Sequence, residues 1–196
     1  MKIEKIKKKL VEIALEIAKE EKGCLFVIEE KPVDYKNLVN QDIKSFSIFD
    51  NQSRRRLKLL GTHDGACIFD LEGNLIAYGV TILNIKVYPG FGTRHSAAYT
   101  ASLYGNTIIM SSEEDRKVKI LKGGKFIMQI DALERNVEKK AGEAVSWLES
   151  TGVGTLASLG VSIFAPAIGI TLTSGIIVFG ASHYLVKQLI AYKNGK

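Results

Sequence analysis

Cysteine is nearly absent. The chain has two, Cys24 and Cys67, each inside a short apolar run and neither in a Cys-x-x-Cys or Cys/His spacing. That excludes a zinc site of the usual spacing and a disulfide scaffold, and leaves two buried thiols as the expectation. The first twenty residues lack the unbroken apolar core of a secretory leader, because Lys and Glu recur throughout. The folded part is therefore expected in the cytosol. Excess charge is modest at +6, and much of it lies in Lys5, Lys7, Lys8 and Lys9 and in Lys187, Lys193 and Lys196. Basic ends of this kind are usually solvated, and Arg54-Arg-Arg56 is too short a cluster for a nucleic-acid surface, so no nucleic-acid partner is expected. With 46% hydrophobic and 24% charged residues, disorder is excluded as the default and one well-buried domain is expected, with some chain left over.

A second absence is local. From Ser150 to Val186 there is no Asp, Glu, Lys or Arg. The run exceeds the roughly 20 apolar residues that span a bilayer, and Gly152, Gly154, Gly160, Gly169, Gly175 and Gly180 suit close helix packing. It is read as a hydrophobic helical segment over 150–190 that anchors the protein in a membrane, as one span or as a hairpin turning near Pro166. The competing reading is a buried helical pair packed on the rest of the chain.

What is present is an alternation of helical and strand patterns. Residues 2–21 place Ile3, Ile6, Leu10, Ile13 and Ile17 at helical spacing among charges, and Gly23 stops the helix. Cys24 to Ile28 reads as a buried strand. Pro32 and Asp34 suggest a turn before a short helix within 31–50, and Ser53 is placed to cap a helix from Arg54 to Leu60. Ala66–Phe69 and Leu75–Val80, separated by Asp70-Leu-Glu-Gly-Asn74, form a hairpin. A glycine loop at Pro89–Thr93 opens onto a helix from Arg94 to Leu103. Strands follow at Thr107–Met110 and Lys117–Leu121, and a helical pattern returns from Asp131 to Glu149. The order predicts the α/β class, a mixed central sheet flanked by helices.

Three segments carry chemistry. Thr62-His-Asp-Gly-Ala66 leads into a strand, where an aspartate before a glycine also suits a plain turn. Gly92-Thr-Arg-His-Ser-Ala-Ala98 puts a glycine loop at a helix N-terminus, whose unpaired N–H groups and dipole favour an anion. Thr93, Arg94 and His95 add donors suited to phosphate oxygens. A cation in a first helical turn opposes the dipole, which points to a functional rather than a structural Arg94. The third segment is Ser111-Ser-Glu-Glu-Asp115, which equally suits a loop with solvated acids.

Together these segments resemble the diadenylate cyclase domain family, in which a DGA motif, a GTRHRAA motif and a following SEE recur in this order. Gly23-Cys-Leu-Phe-Val-Ile-Glu29 is similar to the family's early GALIVIE strand, so the resemblance covers roughly residues 20–125. It implies a reaction in which the ribose 3′-OH of one ATP attacks the α-phosphorus of another, twice, releasing two pyrophosphates and cyclic di-AMP. The resemblance makes Asp64 the group that activates the 3′-OH, as base, metal ligand or both. It makes Gly65 and Ala66 the small residues that admit the nucleotide, and Thr93, Arg94, His95, Ser96 and Ser112 the nucleotide-binding set. Leu25 and Ile82 (or Leu83) are expected against adenine. A divalent ion, Mg²⁺ or Mn²⁺, is implied, with His63 and Glu113 as further ligands beside Asp64. Because each domain of the family holds one ATP, a homodimer or higher homo-oligomer with facing sites is also implied.

One position departs from the family. Where a second arginine is usual, this chain has Ser96. Losing a guanidinium removes charge-assisted hydrogen bonds that each contribute on the order of 1.5–3 kcal/mol. Lys86, Lys119 and Lys122 are candidates to replace it. The alternative is a catalytically weakened or inactive nucleotide-sensing adaptor of the same fold. The expected organisation is a cyclase domain over 1–128, an amphipathic connecting helix over 129–149 and the uncharged segment over 150–190.

Overall fold

Five consecutive apolar residues, Cys24–Ile28, form strand β1, which is buried on both faces with the remaining elements layered about it. The computed structural model describes residues 2–134, 136–150, 162–163 and 176–179, with side chains as far as Ser146. In chain order the elements are α1 (Lys2–Lys19), β1, β2 (Tyr35–Asn37), α2 (Ser53–Gly61), β3 (Ala66–Phe69) and β4 (Leu75–Ile82). They continue with α3 (Thr93–Leu103), β5 (Thr107–Ser111), β6 (Lys117–Lys122), β7 (Lys125–Asp131), α4 (Val137–Ser150), β8 (Ser162–Ile163) and β9 (Ile176–Phe179). The sheet order is β2-β4-β3-β1-β5-β6-β7-β9-β8. Strands β1 and β3 are parallel, with Val27 opposite Ile68, and the other neighbouring pairs are antiparallel. This is the mixed α/β architecture expected.

Side-chain alternation along β1 divides the core in two. Cys24, Phe26 and Ile28 join one cluster with Ile6, Leu10, Ile13 and Ile17 of α1, Leu57 of α2 and Val137 and Ala141 of α4. Leu25 and Val27 join the other with Ala97, Ala98 and Ala101 of α3. The α1 spacing of three and four is what lets one helix cover a sheet face. Each fully buried Ile or Leu there contributes about 1.5–3 kcal/mol relative to exposure. Helix α3 uses alanines instead, and so lies against the opposite face through small side chains. A Lys19–Glu138 ion pair joins the end of α1 to α4.

Four readings change. No helix forms within 31–50: the segment contributes β2, which pairs with β4 through Tyr35–Ile82. Ser53 is the first residue of α2 rather than its cap, and its hydroxyl donates back to the Ile48 carbonyl. The helix expected from Asp131 starts at Val137, because Lys125–Asp131 pairs with β6 across the Gly123-Gly124 turn and Ala132 and Leu133 form a further turn. The last concerns the segment 150–190. A helix through all of it is not formed, since Ile176–Phe179 is a strand beside β7, with Gln129 opposite Ile177. An uncharged run rich in β-branched residues serves a buried strand as well as a helix. Among the described residues no helix is long and apolar enough to cross a membrane. The rest of the anchoring expectation lies outside the described residues.

Candidate functional site

The sheet and α3 together leave a cavity of about 760 Å³ where β4 and β5 end and β1, β3 and β6 begin. Asp64, Gly65 and Ala66 enter it from the start of β3, Thr93, Arg94 and His95 from the first turn of α3, and Ser112 and Glu113 from the end of β5. Leu25 and Ile82, both buried in the α3-side core, supply apolar wall. Residues far apart in sequence thus meet at one site.

Two predicted residues are not brought to it. His63 is exposed and absent from the lining. Ser96 points elsewhere: its Oγ accepts from the Tyr88 backbone N–H at 3.0 Å, and its carbonyl accepts from Thr100 Oγ1. Its hydroxyl oxygen thus helps hold the 85–92 loop to α3, and Ser96 is not among the residues that line the cavity. Lys86 is exposed outside the cavity, and Lys122 pairs with Glu30 at 2.8 Å, so neither replaces the missing arginine.

The geometry within the cavity is specific. The backbone at Gly92 is extended where it enters α3 (φ −75°, ψ −177°), and among the described residues no side chain caps the helix. The first-turn N–H groups are therefore left for a ligand or water. Ser112 is only 7% exposed, and among the described residues its hydroxyl has no hydrogen-bond partner. A buried, unpaired hydroxyl costs about 1–3 kcal/mol unless a ligand or water satisfies it. The Arg94 guanidinium donates to Glu113 Oε1 at 3.1 Å and lies against the backbone of Gly23. Asp64 is exposed at the rim, where its Oδ1 accepts from the Gly65 N–H at 2.9 Å. Gly65 has φ +96°, and a Cβ there would stand 2.6 Å from Val80 N. Its smallness therefore serves the packing of the loop on β4 before it serves any nucleotide.

Phe91 and Asp115, outside the expected binding set, complete the site together with Lys119, one of the three lysines named as candidates to replace the missing arginine. Lys119 of β6 is 4% exposed, 2.7 Å from Asp115 and 3.0 Å from His95 Nε2. The signal was available, since Lys119 interrupts the apolar run Val118–Leu121 on the α3 side of the sheet. Phe91 stacks at 4.7 Å on His95 and lies under the Lys119 ammonium at 5.8 Å. Burial pushes His95 down to about 4, helped by the Lys119 and Arg94 charges and opposed by Asp115. The imidazole is therefore neutral near pH 7. The lining then sets four carboxylates, Asp64, Glu113, Glu114 and Asp115, against two cations, Arg94 and Lys119.

Among the described residues no cluster of three His, Cys, Asp or Glu side chains can hold a metal by itself. The expected trio of His63, Asp64 and Glu113 is not assembled, because His63 lies outside the cavity and Glu113 is engaged by Arg94. What remains, one exposed carboxylate at Asp64, suits a hard ion such as Mg²⁺ that keeps most of its positions for phosphate oxygens and water.

An α/β domain with an oxygen- and cation-lined cavity at a helix N-terminus is the class these features define. The comparisons narrow it. The family model described as "DAC: DisA bacterial checkpoint controller nucleotide-binding" matches residues 12–126, and the chain belongs to that family. It is 29% identical over 142 residues to a diadenylate cyclase of Methanocaldococcus jannaschii, covering 63% of this chain. The alignment spans 45% of that relative's length. The fold matches the crystal structure of DacA from Staphylococcus aureus with a TM-score of 0.50 and 22% identity, over 74% of this chain and 95% of that one.

Proposed function

We propose that this chain is a diadenylate cyclase, joining two ATP molecules into cyclic di-AMP with release of two pyrophosphates. The observation that carries the reading is the convergence in one cavity of Asp64, the uncapped α3 terminus with Thr93 and Arg94, and the unpartnered Ser112 hydroxyl. The curated relative's name supports the same reading.

Each cavity holds one ATP, with Leu25 and Ile82 against the base and Thr93, Arg94 and Ser112 donating to phosphate oxygens. His95, neutral and stacked on Phe91, orients that end of the site. Asp64 stands at the rim, so its carboxylate serves a nucleotide held by a second copy. It takes the proton from a 3′-OH as that oxygen forms its bond to the α-phosphorus and the bond to pyrophosphate breaks. The same step in the opposite direction closes the ring. The site requires two facing copies, related by a two-fold axis. The lining holds more carboxylates than cations, so ATP's added negative charge needs a counter-ion. Mg²⁺ or Mn²⁺, held by Asp64 and the phosphates, would neutralise that charge and acidify the hydroxyl.

Purified protein incubated with ATP and Mg²⁺ or Mn²⁺ should form cyclic di-AMP by mass spectrometry, at a rate per chain that rises with protein concentration. No product from folded protein, across metals and concentrations, overturns the proposal. A second reading, a nucleotide-sensing adaptor without turnover, is favoured by Ser96 alone; it predicts ATP binding without product. Membrane association through 150–190 rests on the uncharged run from Ser150 to Val186, while the β7–β9 pairing supports packing on the sheet instead. Cell fractionation separates the two.

A further inference from the structure

Helix α3 offers one guanidinium to the cavity, from Arg94, where the resemblance calls for two. The second position, Ser96, is turned to Tyr88. A cation nevertheless reaches the same helical turn from the sheet, because Lys119 Nζ lies 3.0 Å from His95 Nε2. We propose that Lys119 binds the triphosphate of ATP in place of the guanidinium missing at position 96. The inference rests on the reading of this cavity as an ATP site.

Burying an ammonium is costly, and strands seldom do it without a purpose or a full set of partners. Lys119 alternates with Val118 and Ile120, which point to the α1-side core, so its stem is directed to the α3 side and into the cavity. Its partners do not use it up. An ammonium carries three donors. One goes to Asp115 Oδ2 at 2.7 Å and one to His95 Nε2, while among the described residues the third meets only the face of Phe91, 5.8 Å from the ring centroid.

The His95 contact adds a constraint. For Nε2 to accept from Lys119, the imidazole carries its proton on Nδ1 and is uncharged. Nε2 then cannot donate to a phosphate. The donor at that point of the cavity is Lys119, and His95 and Phe91 hold it there. Asp115 is about one-third exposed, so a triphosphate of higher charge can compete with it for the ammonium. Lys119 gives a point charge without the forked geometry of arginine. It therefore supplies affinity rather than orientation, which remains with Arg94.

The test compares binding of α,β-methylene-ATP, which cannot release pyrophosphate, with binding of adenosine, by calorimetry on the full chain with Mg²⁺. For Lys119→Gln the analogue should bind about tenfold to a hundredfold more weakly, the range expected for one charge-assisted contact. Adenosine binding should not change, and Lys119→Arg should recover most of the loss. In the wild type, the analogue but not adenosine should shield Lys119 from amine acylation, read by peptide mass, a result that needs no variant. If Lys119→Gln binds the analogue as the wild type does, or Lys119 is acylated equally with and without it, the lysine serves only Asp115 and His95 and the proposal falls. If the wild type prefers the analogue no more than adenosine, the ATP reading of the cavity fails first and takes this inference with it.

Discussion

The Arg94 guanidinium occupies the space that a side chain on Gly23 would fill: a Cβ built there overlaps Nη1 and Cζ and stands 3.1 Å from Nη2. Gly23 precedes β1, and its place in the sequence suggests only a helix stop, yet α1 already ends at Lys19 with Glu21 in the left-handed conformation. The structure gives it another task, as the floor on which the Arg94 guanidinium lies.

Gly23→Ala should therefore act at a distance on the nucleotide. Its cost falls on Arg94, which must leave its seat and its 3.1 Å bond to Glu113. ATP affinity should drop about tenfold or more, the worth of one charged hydrogen bond. The effect should nearly vanish when Gly23→Ala is made in an Arg94→Ala background. Equal losses in both backgrounds would show that Gly23 does not work through Arg94.

Two glycines in the motifs should differ sharply in what alanine costs. Gly65 combines φ +96° with a Cβ position 2.6 Å from Val80 N and 2.8 Å from Val80 O, all backbone and unable to yield. Gly65→Ala should cost on the order of 3 kcal/mol in urea denaturation, from left-handed strain plus overlap. Gly92 has open space and φ −75°. Gly92→Ala should cost under about 1 kcal/mol, the usual range for losing a helix-cap preference. Similar losses at both would remove the steric account.

The sheet and its helices were legible wherever one periodicity ran long enough. Residues 2–19 and Cys24–Ile28 could be read directly, because a helix covering one face and a strand buried on both leave distinct patterns. Lys125–Asp131 was missed: its polar residues at Lys125 and Gln129 hide a strand whose identity comes from pairing with β6. The same holds for Ile176–Phe179, whose apolar run is consistent with either structure until β7 is beside it. In the site, the motifs located the helix N-terminus and the acid. They could not show that Ser96 turns to Tyr88 or that Lys119 arrives from another strand. Those placements depend on how α3 lies across the sheet, which local sequence does not encode.

Asp64→Asn should separate binding from turnover. The carboxylate is exposed, and its bond from the Gly65 N–H can be kept by the amide oxygen. Stability and affinity for α,β-methylene-ATP should hold, while formation of cyclic di-AMP falls by about 10²–10⁴, the range for losing a general base. Full activity in this variant would remove Asp64 from the chemistry.

His95 should make the protein acid-sensitive in a defined window. In the folded state burial holds its pKa down at about 4, against an ordinary 6.5, and the charges of Lys119 and Arg94 act in the same direction. The unfolded chain therefore takes up a proton that the folded chain refuses between those values. The resulting stability is fully present above pH 6.5 and is lost as pH falls toward 4. Because the cavity is open to water, the loss should be on the order of 2 kcal/mol rather than the full value of the shift. His95→Gln should remove this part of the pH dependence, leaving the carboxylate titrations common to both proteins. Lys119→Met should raise the His95 pKa in an NMR titration, yet not to 6.5, because burial is the larger cause and remains. A pKa unmoved by Lys119→Met would mean that the 3.0 Å contact between the two side chains is not made in solution.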